Sequence, residues 1–493
     1  MPDIKSLPSH PPPQDADIIR EAIPSHPLGV KPSGNALLAT WSLRNAMGIF
    51  QHLPDELILL LLEAFDGPSL LRIGRTCKAF YAFTRAEELW KALFVCDSRE
   101  DFTWRGTWRS TYLNIPASKV PMVDCSQLFS DSLYRPFNCA HISLDPYVSK
   151  IPARNQIARL PELSPEEFQA KWTDRPFILT EPVKAWPAYK TWNVGSLLAR
   201  YGKTKFRAEA VDWAMRTYGD YMADNSDESP LYLFDRSFVS KMGLSVGSSE
   251  TTPDASYWPP ACFAEDFFSV LGDDRPDHQW LIIGPERSGS KFHKDPNATS
   301  AWNAVLRGPK YWIMFPSSTK QPPPPGVFVS DDQSEVTSPL SIAEWLLGFH
   351  AEARRTPGCV EGICGEGEIL HVPSGWWHLV VNLEPSIAIT QNFIPRGHLG
   401  AALDFLSNKP DQVSGFRKNV ANPCERFMTG MREAYPDLLE QAWNELQKKS
   451  EGKKRKWEDI VHGETTETPD GQDTEGGGFS FGFGDDGSDV EVP

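Results

Sequence analysis

From Pro176 to Phe393 the chain breaks into short apolar runs separated by Gly and Pro turns. Pro176-Phe177-Ile178-Leu179-Thr180 is the first run, and Ile387-Ala388-Ile389-Thr390-Gln391-Asn392-Phe393 is the last. Runs this short, rich in β-branched and aromatic residues and bounded by turn formers, read as strands. Many such strands in one stretch bury their apolar faces by packing sheet against sheet, so the pattern predicts a β-sandwich or jelly roll. The four prolines within Gln321 to Gly326 mark a loop inside it.

Helical texture flanks this region. Leu53-Pro54-Asp55 opens a helix that runs to Phe65, and Asp66-Gly67-Pro68 ends it. Ser69 to Phe83 places Leu70, Leu71, Ile73, Cys77, Phe80 and Phe83 near helical spacing, and Glu87 to Phe94 makes a third short helix. Trp104 to Tyr112 closes this module. Ser164, Pro165 and Glu167 form a full helix-start signal for a segment reaching about Trp172. The expected organisation is a flexible leader over 1–45, a helical module over 46–115 and a connecting segment over 116–154. The β domain follows over 155–398, then C-terminal helices over 399–449, in segments 399–407, 424–434 and 436–449. A disordered acidic tail over 450–493 ends the chain.

With 493 residues the chain is long enough for two or three domains. The net charge of −16 is concentrated: Glu458 to Glu491 holds eleven acidic residues and no Lys or Arg. The remainder is mildly acidic, which argues against a nucleic-acid surface without excluding one. The longest apolar run, Leu57 to Leu62, is far short of the roughly 18 residues of a membrane span. The N-terminus lacks a secretory signal, and the eight scattered Cys form no CxxC pair. A soluble intracellular protein with reduced thiols is expected, nuclear or cytoplasmic or both. Cys359 and Cys364 leave two readings open, a metal pair or plain thiols, buried or at the surface. Lys448, Lys449, Lys453, Lys454, Arg455 and Lys456 suit nuclear import or nucleic-acid contact as well as a solvated helix end. Phe479 to Gly484 is given no role.

The chemistry centres on Phe292-His293-Lys294-Asp295-Pro296. Along a strand alternate side chains share a face, so His293 and Asp295 can enter one cavity while Lys294 points away. His378, in Pro373-Ser374-Gly375-Trp376-Trp377-His378, stands at the start of another strand. Two imidazoles and a carboxylate on one side of an iron make a facial triad with three open positions. His-x-Asp alone is a weak signal. Lys310, after Gly308-Pro309, and Thr390 strengthen it, because a buried cation and a hydroxyl suit the far carboxylate of a dicarboxylic cosubstrate.

These strings, with Thr299-Ser300-Ala301-Trp302-Asn303 and Asp227-Glu228-Ser229-Pro230-Leu231-Tyr232-Leu233-Phe234-Asp235, resemble the JmjC family over about residues 155–395. The likeness is to its phosphatidylserine-receptor-like branch of protein hydroxylases. It implies a double-stranded β-helix with flanking helices, Fe(II) on His293, Asp295 and His378, and 2-oxoglutarate held by Lys310 and Thr390. It also implies that Asn303, Ser290 and Tyr218 line the same pocket. Dioxygen and 2-oxoglutarate would convert a substrate C–H bond to an alcohol, with succinate and carbon dioxide as co-products. An N-methyl carbon so oxidised leaves as formaldehyde, and the sequence does not choose between hydroxylation and demethylation.

Leu53-Pro54-Asp55-Glu56-Leu57, the Cys77–Phe80 stretch and Leu89-Trp90 resemble an F-box, which implies docking of residues 46–95 on the Skp-type adaptor of an SCF ubiquitin ligase. The competing reading packs these helices on the next domain. The expected substrate is a lysine or arginine side chain of a basic protein such as a histone. The acidic run Asp220, Asp224, Asp227 and Glu228 is either an attractor near the cavity mouth or a plain solvated loop. The alternatives are a non-catalytic F-box receptor that uses the β-helix for binding, a cupin metal protein without oxygenase activity, and a tRNA-modifying relative.

Overall fold

The computed structural model describes residues 23–97, 99, 102–317, 322–330 and 335–448. Fifteen strands lie within it: β1 (Ala158–Leu160), β2 (Phe177–Leu179), β3 (Lys205–Ala208), β4 (Val211–Ala214), β5 (Leu233–Asp235), β6 (Gln279–Gly284), β7 (Gly289–His293), β8 (Ser300–Arg307), β9 (Lys310–Phe315), β10 (Phe328–Val329), β11 (Val336–Thr337), β12 (Val360–Cys364), β13 (Glu368–Val372), β14 (Trp377–Asn382) and β15 (Ser386–Phe393). Nine form one sheet in the order β1-β2-β13-β8-β15-β6-β5-β3-β4, and four form a second in the order β12-β9-β14-β7. Apart from the parallel β1–β2 pair, the ladders of both sheets are antiparallel. The core between them takes Ala301, Val305, Leu370 and Val372 from the larger sheet and Trp312, Met314, Cys364 and Val380 from the smaller. This is the expected double-stranded β-helix. Consecutive strands β8 and β9 belong to opposite sheets, and Gly308 makes the crossing. Its φ is +67°, and a Cβ there would stand 2.3 Å from the carbonyl oxygen of Pro385.

The N-terminal module contains α1 (Asp55–Glu63), α2 (Gly67–Ile73), α3 (Lys78–Phe83), α4 (Glu87–Cys96) and α5 (Trp108–Leu113). The single helix expected over Ser69 to Phe83 is two. The Thr76 hydroxyl donates to the Ile73 carbonyl at 2.7 Å, and the Cys77 sulfur accepts from the Phe80 amide at 3.5 Å. These short-range bonds end one helix and cap the next. The connecting segment hides α6 (Asp131–Ala140), started by Ser130, whose side chain accepts from the Leu133 amide. Pro136 inside it masks the helical signal. The leader is also more ordered than expected from residue 23 onward. Val30, Leu43 and Met47 are buried, Arg44 pairs with Asp55, and the Leu43 amide donates to the Gln127 carbonyl at 2.9 Å. Residues 1–22, 449 and the acidic tail lie outside the described residues.

The β region carries helices that its strand-like texture concealed, among them α7 (Met215–Ala223) and α8 (Ile342–Ala353). Behind it come α9 (Leu399–Asn408), α10 (Pro423–Ala434) and a helix over 436–448, close to the expected segments. From α4 to α5, Phe94, Phe102, Trp104 and Trp108 pack on Trp213 of β4 and Tyr221 of α7, with Trp104–Tyr221 centroids 5.0 Å apart and Phe102–Trp213 5.1 Å apart. The helical module thus packs on the β domain through one aromatic joint. No helix among the described residues is long and apolar enough to cross a membrane.

Candidate metal centre and cosubstrate pocket

His293 closes β7 and faces His378 of β14 across the antiparallel ladder, which brings their ring centroids to 4.1 Å. Asp295 follows two residues on, with Oδ1 4.0 Å from His378 Nε2. One ligand atom from each of the three lies within 4.8 Å of the others, and this is the one such group found among the described residues. Lys294 turns away as expected, its ammonium donating to Ser317 at 2.8 Å and lying 4.7 Å from the Trp377 ring centroid.

The backbone sets the tautomers. His293 Nδ1 lies 2.8 Å from the Lys291 carbonyl and His378 Nδ1 lies 3.1 Å from that of Trp376. Each Nδ1–H therefore donates outward, which makes Nε2 the unprotonated ring nitrogen. Burial lowers both imidazoles to about 4, with the neighbouring His378 a further cause for His293, so both are neutral ligands. Burial raises Asp295 to about 6, and its Oδ2 has no hydrogen-bond partner. A buried carboxylate oxygen left without a proton donor, beside two unprotonated imidazole nitrogens, fits a divalent cation.

The triad opens into a cavity of about 840 Å³ between the two sheets. Ser290, Asn303 and Thr390 line it as expected, and Asn303 stands directly opposite Thr390 on β8 and β15. Asn303 Oδ1 is buried without a partner, while the Thr390 hydroxyl donates to the Trp302 carbonyl at 2.8 Å. Lys310 stands differently. It is fully buried but is not a lining residue; its ammonium donates to Tyr232 Oη at 2.9 Å and Asn382 Oδ1 at 2.7 Å. No carboxylate of the described residues pairs with it, and burial lowers it to about 7.

Tyr218 is a correction. It does not reach the cavity; its hydroxyl is buried behind β5 and β6, within hydrogen-bond distance of the Leu231 and Ile283 carbonyls and the Leu233 amide. The tyrosine on the cavity wall is Tyr232, with Phe234 beside it on the same face. Trp280, Trp312 and Asn392 also line the cavity. Tyr232 and Asn392 stood in strings already singled out; alternation puts Tyr232 and Phe234 on one face, but which face is inward is set by the pairing of β5 on β6.

The acidic run is not at the mouth either. Asp227 is buried against Trp108 and Tyr221, Glu228 pairs with Arg135 and Ser341, and none of the four lines the cavity. Charges along the cavity lining are mixed: Asp212 pairs with Arg207 at 3.2 Å, Asp235 with Lys241 at 2.6 Å and Asp277 with Arg236 at 2.6 Å. Cys359 and Cys364 are buried free thiols raised by desolvation, without the grouped ligands of a metal site.

Comparison with known proteins agrees with this geometry. The cupin-like domain family matches residues 165–397. Arginine-specific demethylase JMJ22 of Arabidopsis thaliana is 37% identical over 460 residues, covering 90% of this chain and 88% of that protein. The chain belongs to the JmjC family. A second JmjC relative, the bifunctional arginine demethylase and lysyl-hydroxylase psr-1 of Caenorhabditis elegans, is 34% identical over 59% of this chain and 71% of its own length. The 2-oxoglutarate and iron-dependent oxygenase JMJD4 of Danio rerio is 29% identical over 33% of this chain and 37% of its own length. Ahead of the JmjC region, the F-box-like family matches residues 50–96, so α1 to α4 form an F-box-like module.

Proposed function

We propose that this JmjC protein is an Fe(II)- and 2-oxoglutarate-dependent oxygenase that hydroxylates lysine or arginine side chains of proteins, or demethylates them by hydroxylating an N-methyl carbon. The observation that carries it is Lys310, a fully buried ammonium with no carboxylate partner among the described residues, joined through Tyr232 to a cavity that also holds the triad. A buried cation left without a counter-charge is costly, and a dicarboxylate in the cavity supplies one. A pure binding scaffold or a plain cupin metal site has no use for that cation.

Bound at His293, Asp295 and His378, iron supplies the activation of dioxygen. The chain's own residues do the rest. The two outward Nδ1–H bonds hold the imidazoles in the ligating tautomer, and Asn303 and Thr390 offer polar groups beside Tyr232 for a cosubstrate. The hydroxyl proton of Thr390 points at the Trp302 carbonyl, so gripping a carboxylate requires that rotor to turn. Trp280, Trp312 and Phe234 line the cavity with apolar surface that excludes water.

The lysine or arginine target rests on the activities for which the relatives are named, since the cavity lining offers both signs of charge. The test is purified protein with Fe(II), dioxygen, labelled 2-oxoglutarate and arginine-methylated or lysine-bearing histone peptides. Carbon dioxide release coupled to peptide oxidation is expected, and its persistence in His293→Ala would remove the reading.

The F-box-like module supports docking on a Skp-type adaptor and, through it, membership of an SCF ligase. Leu57, Leu60, Leu61 and Phe65 are between 41% and 60% exposed on or just beyond α1, an apolar face left uncovered by the described residues. Nuclear as well as cytoplasmic residence suits a histone substrate. The basic cluster that suggested it lies outside the described residues, Lys448 apart.

A further inference from the structure

We propose that Asp227 is a positioning residue for cosubstrate binding, acting through a hydrogen-bonded frame that ties the helical module to the segment carrying Tyr232. The inference rests on the reading of Tyr232 and Lys310 as the grip on the cosubstrate carboxylate.

Three successive backbone amides flank or belong to Tyr232, and each is taken by a side chain. The Leu231 amide donates to Tyr221 Oη at 2.8 Å, the Tyr232 amide to Glu209 Oε1 at 3.1 Å, and the Leu233 amide to Tyr218 Oη at 3.1 Å. Strand pairing alone supplies little here, since β5 is three residues long and Tyr232 lies just ahead of it. The side chains therefore set where the Tyr232 ring enters the cavity and where its hydroxyl meets Lys310.

Asp227 anchors this frame. Its Oδ2 accepts from Tyr221 Oη at 2.8 Å, and both its oxygens lie within 3.0 Å of Trp108 Nε1, from α5 of the helical module. A phenol that donates to a carboxylate is a better acceptor for the amide behind it, because each bond polarises the next. The path from Trp108 through Asp227, Tyr221 and Leu231 to Tyr232 lies in buried surroundings throughout. No member of it touches the triad. A disturbance there should weaken 2-oxoglutarate binding and spare metal binding.

The test uses the full chain loaded with Mn(II) in place of Fe(II), with 2-oxoglutarate binding followed by calorimetry and Mn(II) affinity measured separately. Asp227→Asn is expected to raise the dissociation constant for 2-oxoglutarate about 3- to 30-fold, the span of couplings through packed networks. Its Mn(II) affinity should be unchanged. Trp108→Phe, which deletes the indole donor and keeps an aromatic ring, should move the same constant in the same direction by less, and serves if Asp227→Asn does not fold. Tyr232→Phe removes the grip itself, so the double variant with Asp227→Asn should bind no worse than Tyr232→Phe alone. Leu62→Ala, buried on α1 and not among the cavity-lining residues, controls for destabilisation and should leave 2-oxoglutarate affinity alone. The proposal is overturned if Asp227→Asn and Trp108→Phe lower the melting temperature but keep 2-oxoglutarate affinity, if Mn(II) affinity falls in parallel, or if Asp227→Asn and Tyr232→Phe add. Unchanged binding in Tyr232→Phe and Lys310→Ala would instead remove the underlying assignment of the grip, and this proposal with it.

Discussion

Lys310 carries the pH behaviour of the site. Burial lowers its ammonium to about 7, so near neutrality the free protein holds it partly uncharged. A carboxylate ligand favours the charged form, so binding raises this value and takes up a proton when the pH lies above it. The sign follows: 2-oxoglutarate affinity is full below about 7 and falls as pH rises through and beyond it. Calorimetry at pH 8 in buffers of different ionisation enthalpy should show proton uptake that disappears in Lys310→Ala; equal heats in all buffers contradict the assignment. Most of the site was legible at this scale. His293 and Asp295 follow from strand alternation, because a period of two fixes the shared face without knowledge of partners; His378 and Thr390 follow from their strand strings and chemistry, and Ser290 and Asn303 from the family resemblance alone. Tyr218 and Tyr232 could not be separated that way. Which tyrosine faces inward depends on the register of β5 on β6, where Phe234 pairs with Ile282, a long-range fact that the local sequence does not hold.

Among the elements, α4 and α5 decide how the helical module sits. Phe94 is 2% exposed and meets Phe102, Trp108 and Trp213. Phe94→Ala should cost about 3–5 kcal/mol, the range for emptying a well-packed aromatic site, read as a lower denaturant midpoint. No change would mean the joint is looser than its geometry. The outward face of α1 should behave in the opposite way. Leu60→Arg with Leu61→Arg should abolish co-purification with a Skp-type adaptor at nearly unchanged stability, since both side chains are about half exposed or more. Retained binding would move the docking face elsewhere. The helix start at Ser164 was readable from residue types, and its side chain does accept from the Glu167 amide. The break between α2 and α3 was not, because the local bonds of Thr76 and Cys77 outweigh an unbroken apolar period. Pro136 hid α6 by the converse effect, a breaker residue tolerated inside a real helix.

At the scale of the molecule, the sequence suggested modules joined by linkers, and the structure joins them through one continuous apolar cluster running from Leu28 to Phe393. Composition marks where texture changes but not which aromatic faces meet, so the joint between Trp104, Trp108 and Trp213 was invisible until the chain was folded. Residues 116–493 made without the helical module should therefore expose Trp213 and Tyr221 and aggregate; a soluble monomer of native activity would contradict a shared core. The account as a whole depends on a metal at the meeting point of β7 and β14. Titration of Mn(II) into the metal-free full chain, followed by electron paramagnetic resonance, tests it directly. One tight ion per chain is predicted, lost in His293→Ala and in Asp295→Ala, with 2-oxoglutarate altering the spectrum of the bound ion. Equal Mn(II) binding by the wild type and both variants, or a spectrum indifferent to 2-oxoglutarate, would contradict it.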